Sequence, residues 1–436
     1  MQRWTRGVLS AGAVVVLAAG LLAIGTAAGS PPATDDQASS SAPDQRDPLA
    51  GSIARLQADL ARVPGKHTSW SALGLAYVQQ ARTTVDPSLY DKAAGAFAKS
   101  LALRPQDNDA ALTGQATLAA ARHDFAGALA LTDRALAIND YSPTTWAVRS
   151  DALTELGRYD EAREAVQRLL DLSPGVDGLT RASYAFELRG DVARARALLE
   201  QAAEVATDPS DQAFAQYYLG ELAWNEGDLT GARAAYEAGL DADPDDLVLV
   251  AGRAKVLAAA GDPVAAAAEY RRVVERLPRP EFVVAYGELL EATGQEQDAQ
   301  EQYAVVRATQ QLFAANGQDV DTELALFEAD HGTPAAAVAS AQKAYAKRPD
   351  AVLTQDAYAW ALHAAGRSAE ALPVARAASR LGMRSPVLAY HLGVVEAAAG
   401  DPARARAALQ RALDLNPTFS PLQAPRARAL LAGLAP

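Results

Sequence analysis

An alanine returns at one fixed point of a repeating pattern ten times along the 436 residues: Ala93, Ala128, Ala162, Ala195, Ala232, Ala266, Ala299, Ala337, Ala371 and Ala405. Successive spacings are 35, 34, 33, 37, 34, 33, 38, 34 and 34. A period near 34 residues is the mark of an array of helix-turn-helix units, in which each unit buries its apolar face only by stacking on its neighbours. Alanine is abundant in this chain, so the recurrence matters because other slots keep step with it. A second small residue recurs at Gly74, Ala116, Ser150, Ser183, Gly220, Ala254, Gly287, Ala325, Ala359 and Gly393. Small side chains on both helices let two backbones approach closely. Bulkier residues in register with them, among them Phe97, Tyr236, Tyr270, Tyr303 and Leu409, fill what space is left.

The punctuation fits the same reading. Gly157, Gly190, Gly227, Gly261, Gly294, Gly332, Gly366 and Gly400 fall between the two helices of a unit. Glycine there ends the first helix in a left-handed conformation. Asp262-Pro263 and Asp401-Pro402 supply a capping side chain and a first-turn proline for the second helix. Pro105, Pro174, Pro244, Pro278, Pro349 and Pro417 stand between units. The first unit carries extra residues around Arg82 to Pro87 and no turn glycine, and the second helix of the unit ending near Gln311 is extended. No run alternates like a strand, so the chain is all-α.

The clearest unit, from Pro143 through Trp146, Ser150, Leu153, Gly157, Tyr159, Ala162, Val166 and Leu169 to Pro174, resembles the tetratricopeptide repeat. The resemblance covers about residues 67–417. It implies an all-α, right-handed superhelical solenoid of about ten units, an elongated spiral whose first helices line a concave face. The organisation expected around it is a signal peptide or membrane anchor over 1–29, a flexible linker over 30–48, a capping helix over 49–66, the array over 67–417 and a trailing capping helix over 418–436. Ile53, Leu56 and Leu60 would face inward from the first cap, and Leu430 and Leu431 from the last.

Carried onto this sequence by the repeat register, the concave face would present Asp151, Tyr184, Tyr217, Glu221, Trp224, Lys255, Glu281, Glu288, Glu291, Asp356, Trp360, His363 and Tyr390. Aromatic groups there offer apolar area with a polar handle. Carboxylates select a cationic partner. The expected ligand is a protein or peptide segment with basic residues and apolar anchors. With Lys255 the lone cation among these slots, the face does not suit clamping of a peptide's terminal carboxylate.

Composition narrows the alternatives. The net charge is −13 and no basic stripe follows Arg6, which argues against nucleic-acid binding. There is no cysteine, so neither disulfides nor a lipidated N-terminal cysteine is available. Arg3 and Arg6 precede an uncharged apolar run from Gly7 to Ala28, and both readings of that run, cleaved leader or retained anchor, place the array outside the cytoplasmic membrane. No zinc, phosphate-loop or nucleophile-elbow pattern is present, and the sequence implies no cofactor. His123 and His331 fall at turns and are expected to face solvent. His363 and His391 lie on first helices of adjacent units and could approach one another, which makes their neighbourhood the place to look for an enzymatic site. A further, thinner resemblance, from Leu56-Gln57 through Pro64 and from Trp70 to Tyr77, is to the repeat part of cytochrome c maturation factors, which would imply an assembly role.

Overall fold

The computed structural model describes residues 48–318 and 321–434. The expected leader or anchor and nearly all of the linker lie outside them. Helix α1, Pro48–Arg62, leads ten helix pairs. These are α2 with α3 (His67–Thr84, Leu89–Leu103), α4 with α5 (Asp109–Ala121, Phe125–Leu136), α6 with α7 (Pro143–Glu155, Tyr159–Leu172), α8 with α9 (Val176–Glu187, Val192–Val205) and α10 with α11 (Pro209–Asn225, Leu229–Ala242). The second half comprises α12 with α13 (Leu247–Ala259, Pro263–Arg276), α14 with α15 (Pro280–Ala292, Glu296–Ala315), α16 with α17 (Asp321–His331, Pro334–Lys347), α18 with α19 (Val352–Ala364, Ser368–Ala378) and α20 with α21 (Pro386–Ala398, Pro402–Leu415). Helix α22, Gln423–Gly433, ends the described chain. Among the described residues there is no strand, and no helix is long and apolar enough to cross a membrane.

Each pair is closed by the slots the period revealed. Ala93, Ala128, Ala195, Ala232, Ala266, Ala299, Ala337, Ala371 and Ala405 are fully buried, and Ala162 nearly so. The residue four positions on, one helical turn along the same face, is the wedge. The Phe97 ring sits between Gly74 of its own unit and Gly114 of the next, where an added Cβ would come within 2.5 and 2.2 Å of it. Tyr236 lies in the same way between Gly220 and Gly252, at 2.3 and 2.6 Å. The small residues are therefore sockets for an aromatic ring shared by consecutive units. Five of the ten second helices start on aspartate caps: Asp124, Asp191, Asp228, Asp262 and Asp401 each accept a backbone N–H of the first turn, a contribution of about 1 kcal/mol apiece.

Most turn glycines are left-handed as expected, with φ from 72° to 89° at Gly157, Gly190, Gly227, Gly261, Gly294, Gly366 and Gly400. Gly332 is the exception. There the Glu328 carboxylate accepts the Thr333 N–H and Thr333 caps α17, so side chains make the turn without a left-handed residue. In the second unit His123 takes the left-handed place, at φ 61°.

The spiral coils back onto itself. The turns between helices in the first half of the array meet the linkers between units in the second half. Arg279 Nη2 donates to the Arg82 carbonyl at 3.3 Å. The Tyr159 hydroxyl accepts the Val352 N–H at 2.8 Å. Arg384 holds Glu226 through two bonds of 2.8 Å. Asn416, fully buried, donates to the Trp224 carbonyl at 2.8 Å. The turn glycines supply the clearance. An added Cβ on Gly157 would lie 2.2 Å from the Asp350 carbonyl carbon, one on Gly190 2.5 Å from the Gly382 oxygen and one on Gly227 2.5 Å from the Leu415 oxygen.

Candidate functional site

The residues singled out from the sequence lie on first helices, and the chain packs many of them with its own side chains. Tyr184, Tyr217, Trp224, Trp360 and Tyr390 are all buried. Tyr217 packs edge-on against Tyr218, and Tyr184 joins a cluster with Tyr159, Leu188 and Leu353. This corrects the expectation of an open concave face lined by solvent-facing aromatics. Their own and adjacent units supply most of that packing: Tyr217 lies against Tyr218 and Tyr236, Trp224 against Lys255, Trp360 against His391 and Tyr390 against Phe419, while Tyr184 also shares its cluster with Leu353 of the next coil.

The carboxylates are likewise engaged within the chain. Both oxygens of Asp151 accept from Arg181, at 2.8 Å each. Glu221 takes Lys255 Nζ at 2.7 and 2.8 Å and the Tyr236 hydroxyl at 2.6 Å, and the same ammonium stands 4.9 Å from the Trp224 ring centre. Glu281 lies 4.0 Å from Arg279 at the seam between coils. Burying a charge without a partner is costly, so interior carboxylates require such cations. Lys255 is the cation among the marked slots, and Arg181 joins it from a position the repeat register did not mark.

Glu288 and Glu291 converge on His331. Its Nε2 is 3.1 Å from Glu288, its Nδ1 is 3.7 Å from Glu291, and its ring stacks on Tyr303 at 4.2 Å. Tyr303 donates to Glu291 at 2.8 Å. His331 is therefore not the solvent-facing turn histidine expected: the ring folds inward to the two glutamates. Burial alone would lower its pKa, but Glu288 and the neighbouring acids raise it. Burial raises that of Glu288. His123 is half-buried and stacks on Phe125.

His391 and Asp356 form a buried pair at 2.8 Å, with Trp360 stacked on the imidazole at 4.1 Å. Trp360 Nε1 donates to Asp330 at 3.1 Å. His363 bonds to Ser368 instead and also lies against the Trp360 ring. The two histidines thus meet the same indole rather than a shared ligand position. Among the described residues no group of three His, Asp or Glu side chains is arranged to hold a metal.

Tetratricopeptide-repeat family models match residues 119–179, 179–246 and 357–418. The chain is a tetratricopeptide-repeat protein. Solved structures are similar to this TPR protein over longer stretches. A thermophilic TPR protein from Thermus thermophilus is 24% identical over 39% of this chain and 92% of its own, with a TM-score of 0.36. PilW, a type IV pilus biogenesis factor, is 20% identical over 46% of this chain and 92% of its own, with a TM-score of 0.38. A chain of the APC/C hetero-tetramer Cut9-Hcn1 is 11% identical over 89% of this chain and 90% of its own, with a TM-score of 0.41. No curated protein matches the chain.

Sequence reasoning placed the TPR slots but missed the residues that join one coil to the next: Glu155, Arg348, Tyr159, Arg384 and Asn416. Their partners are set by how far each unit rotates on the last. That rotation has no signature within one repeat.

Proposed function

We propose that this TPR protein is a non-enzymatic interaction scaffold that works outside the cytoplasmic membrane and receives a protein or peptide segment carrying basic residues and apolar anchors. The observation that carries the reading is the array itself. Stacked helix pairs offer an extended surface shaped for a partner chain, and the acidic and aromatic groups of its inner face converge around Glu291, Asp330, Trp360 and Tyr390. A cationic, amphipathic segment complements both features. The basic-then-apolar run from Arg3 to Ala28 supports export.

Crosslinking of the full chain in the cell that produces it, followed by identification of the attached proteins, tests the scaffold role. Recovery of the same protein across crosslinkers is expected, with attachment sites on the array. Failure to enrich any protein over a chain of matched charge and size removes the reading. Protease accessibility in intact cells separately tests the location.

A further inference from the structure

Helix α22 does more than cover the end of the array. A cap on the last pair needs contact with α20 and α21 alone. Instead Gln423 Nε2 donates to Asp330 on α16 at 3.3 Å, and Arg426 lies 3.9 Å from Glu291 on α14. Ala424 and Ala427 are buried in a cluster that includes Trp360, Tyr390 and Phe419, with Leu326 and Ala329 of α16 packed against it. The expected inward residues, Leu430 and Leu431, are only half-buried. The helix packs on α20 and α21 with Ala424 and Ala427 on its buried side, and reaches α16 and α14 through Gln423 and Arg426.

We propose that α22 is an intramolecular occupant of a helix-binding groove, and that an amphipathic helix of a partner protein, with small apolar residues on one face and an arginine or lysine beside them, takes its place. This rests on the scaffold reading above and names the site and the ligand class. Three observations carry it. The charge pattern is complementary: α22 carries Arg426 and Arg428 and no acid, while the groove offers Glu291 and Asp330. The fit is imperfect, since Gln423 Oε1 of α22 is buried without a hydrogen-bond partner, as is Nε2 of His391, whose ring stacks on Trp360 in the groove. A helix without such an orphan of its own, and with a donor or acceptor for His391, would gain over α22. Finally, the polar contacts of α22 beyond its own last unit are few, Gln423 with Asp330 and Arg426 with Glu291. Arg428 reaches only the Pro417 carbonyl and Arg406 of α21 the Leu434 carbonyl. The last anchor between coils, Asn416, precedes α22, so the helix can leave while the ten pairs stay closed.

The test uses the full chain with Ala427→Glu, which puts a carboxylate in a fully buried slot facing an acidic groove and expels α22. A fluorescent peptide of residues 419–434 is the probe. The altered chain is expected to bind it at least about tenfold tighter than the unaltered chain, whose groove is occupied. Adding Glu291→Gln and Asp330→Asn should weaken that binding about tenfold. An Ala427→Glu chain that melts cooperatively yet ignores the peptide overturns the proposal. Should that chain not fold, the unaltered chain cut at a protease site placed between Pro417 and Pro421 answers instead. Exchange of its severed helix for the labelled peptide supports displacement, and retention until the array unfolds overturns it. A partner that crosslinks to the array but never near Glu291 or Asp330 leaves the scaffold reading standing and removes this one.

Discussion

Arg348 Nη1 donates to Glu155 Oε2 at 2.9 Å although 193 residues separate them. Both side chains are buried. The guanidinium also donates to Thr322 at 2.6 Å and lies 5.2 Å from the Phe125 ring centre. A group at the end of α6 thereby fixes the linker before α18, and one coil of the spiral is latched to the next. The latch turns an array with nearest-neighbour contacts into one with a second, long-range set of contacts, so its unfolding should be more cooperative than that of a simple stack.

Removing one partner tests the latch. At pH 8, where Glu155 is ionised, Glu155→Ala leaves the Arg348 guanidinium buried without its carboxylate and is expected to cost about 3 kcal/mol. The double change Glu155→Leu with Arg348→Met removes the charge problem and should recover most of that loss. Chemical denaturation measures both. A single variant as stable as the parent would mean the coils are held elsewhere.

The turn glycines divide into two groups that the same substitution should separate. Gly157 and Gly261 are both left-handed, at φ 77° and 89°. Only Gly157 also faces a neighbouring coil, while nothing lies within 4 Å of a Cβ on Gly261. Gly261→Ala is expected to cost about 1 kcal/mol from backbone strain alone. Gly157→Ala should cost at least about twice that, because Asp350 must also move. Equal shifts in urea midpoint would deny the contact between coils.

The seam within a unit gives a third expectation. Ala162→Leu forces extra methylenes between α6 and α7 and should destabilise by about 1–3 kcal/mol. The reading of the alanine slot fails if the denaturation midpoint does not move.

The pH dependence follows from the buried acids. Burial pushes Glu155 up to about 7, against the pull of Arg348, and Glu187 to about 7, against its bond from Asn225. Asp246 is raised to about 6, again by burial. In the unfolded chain such groups titrate near 4. Between those values the native chain holds more protons than the unfolded chain, so stability falls as pH rises. The raised His331 acts in the same direction: its stabilisation is present below the unfolded histidine value and is lost as pH rises through the folded one. Thermal melts should therefore give a higher Tm at pH 5 than at pH 8, by a few degrees, with Glu155→Gln flattening the difference. A Tm that climbs steadily from pH 5 to pH 8 would contradict the burial of these acids.

Part of the site was legible in the sequence. The register put Glu221, Trp224, Glu291, Asp356, Trp360 and Tyr390 on first helices, and the fold has them there. The register also set Lys255 and His391 one repeat from Glu221 and Asp356, 34 and 35 residues on, but spacing alone did not say that the side chains would pair rather than face a partner. The inward turn of His331 depended on Glu288, which belongs to the unit before it.

What the sequence determined by itself is local and periodic. A small residue every 34 or so positions, a bulky one a helical turn later, a glycine and a capping aspartate between them specify a helix pair and its stacking on the next, since those contacts fall within a repeat or between adjacent ones. Only the tertiary structure decided how far the stack coils. Each unit adds a small rotation, and the sum over several units sets whether Glu155 meets Arg348, whether Gly157 needs clearance, and whether the inner face lies open or is filled. That sum depends on packing angles at every seam and leaves no mark at any one of them.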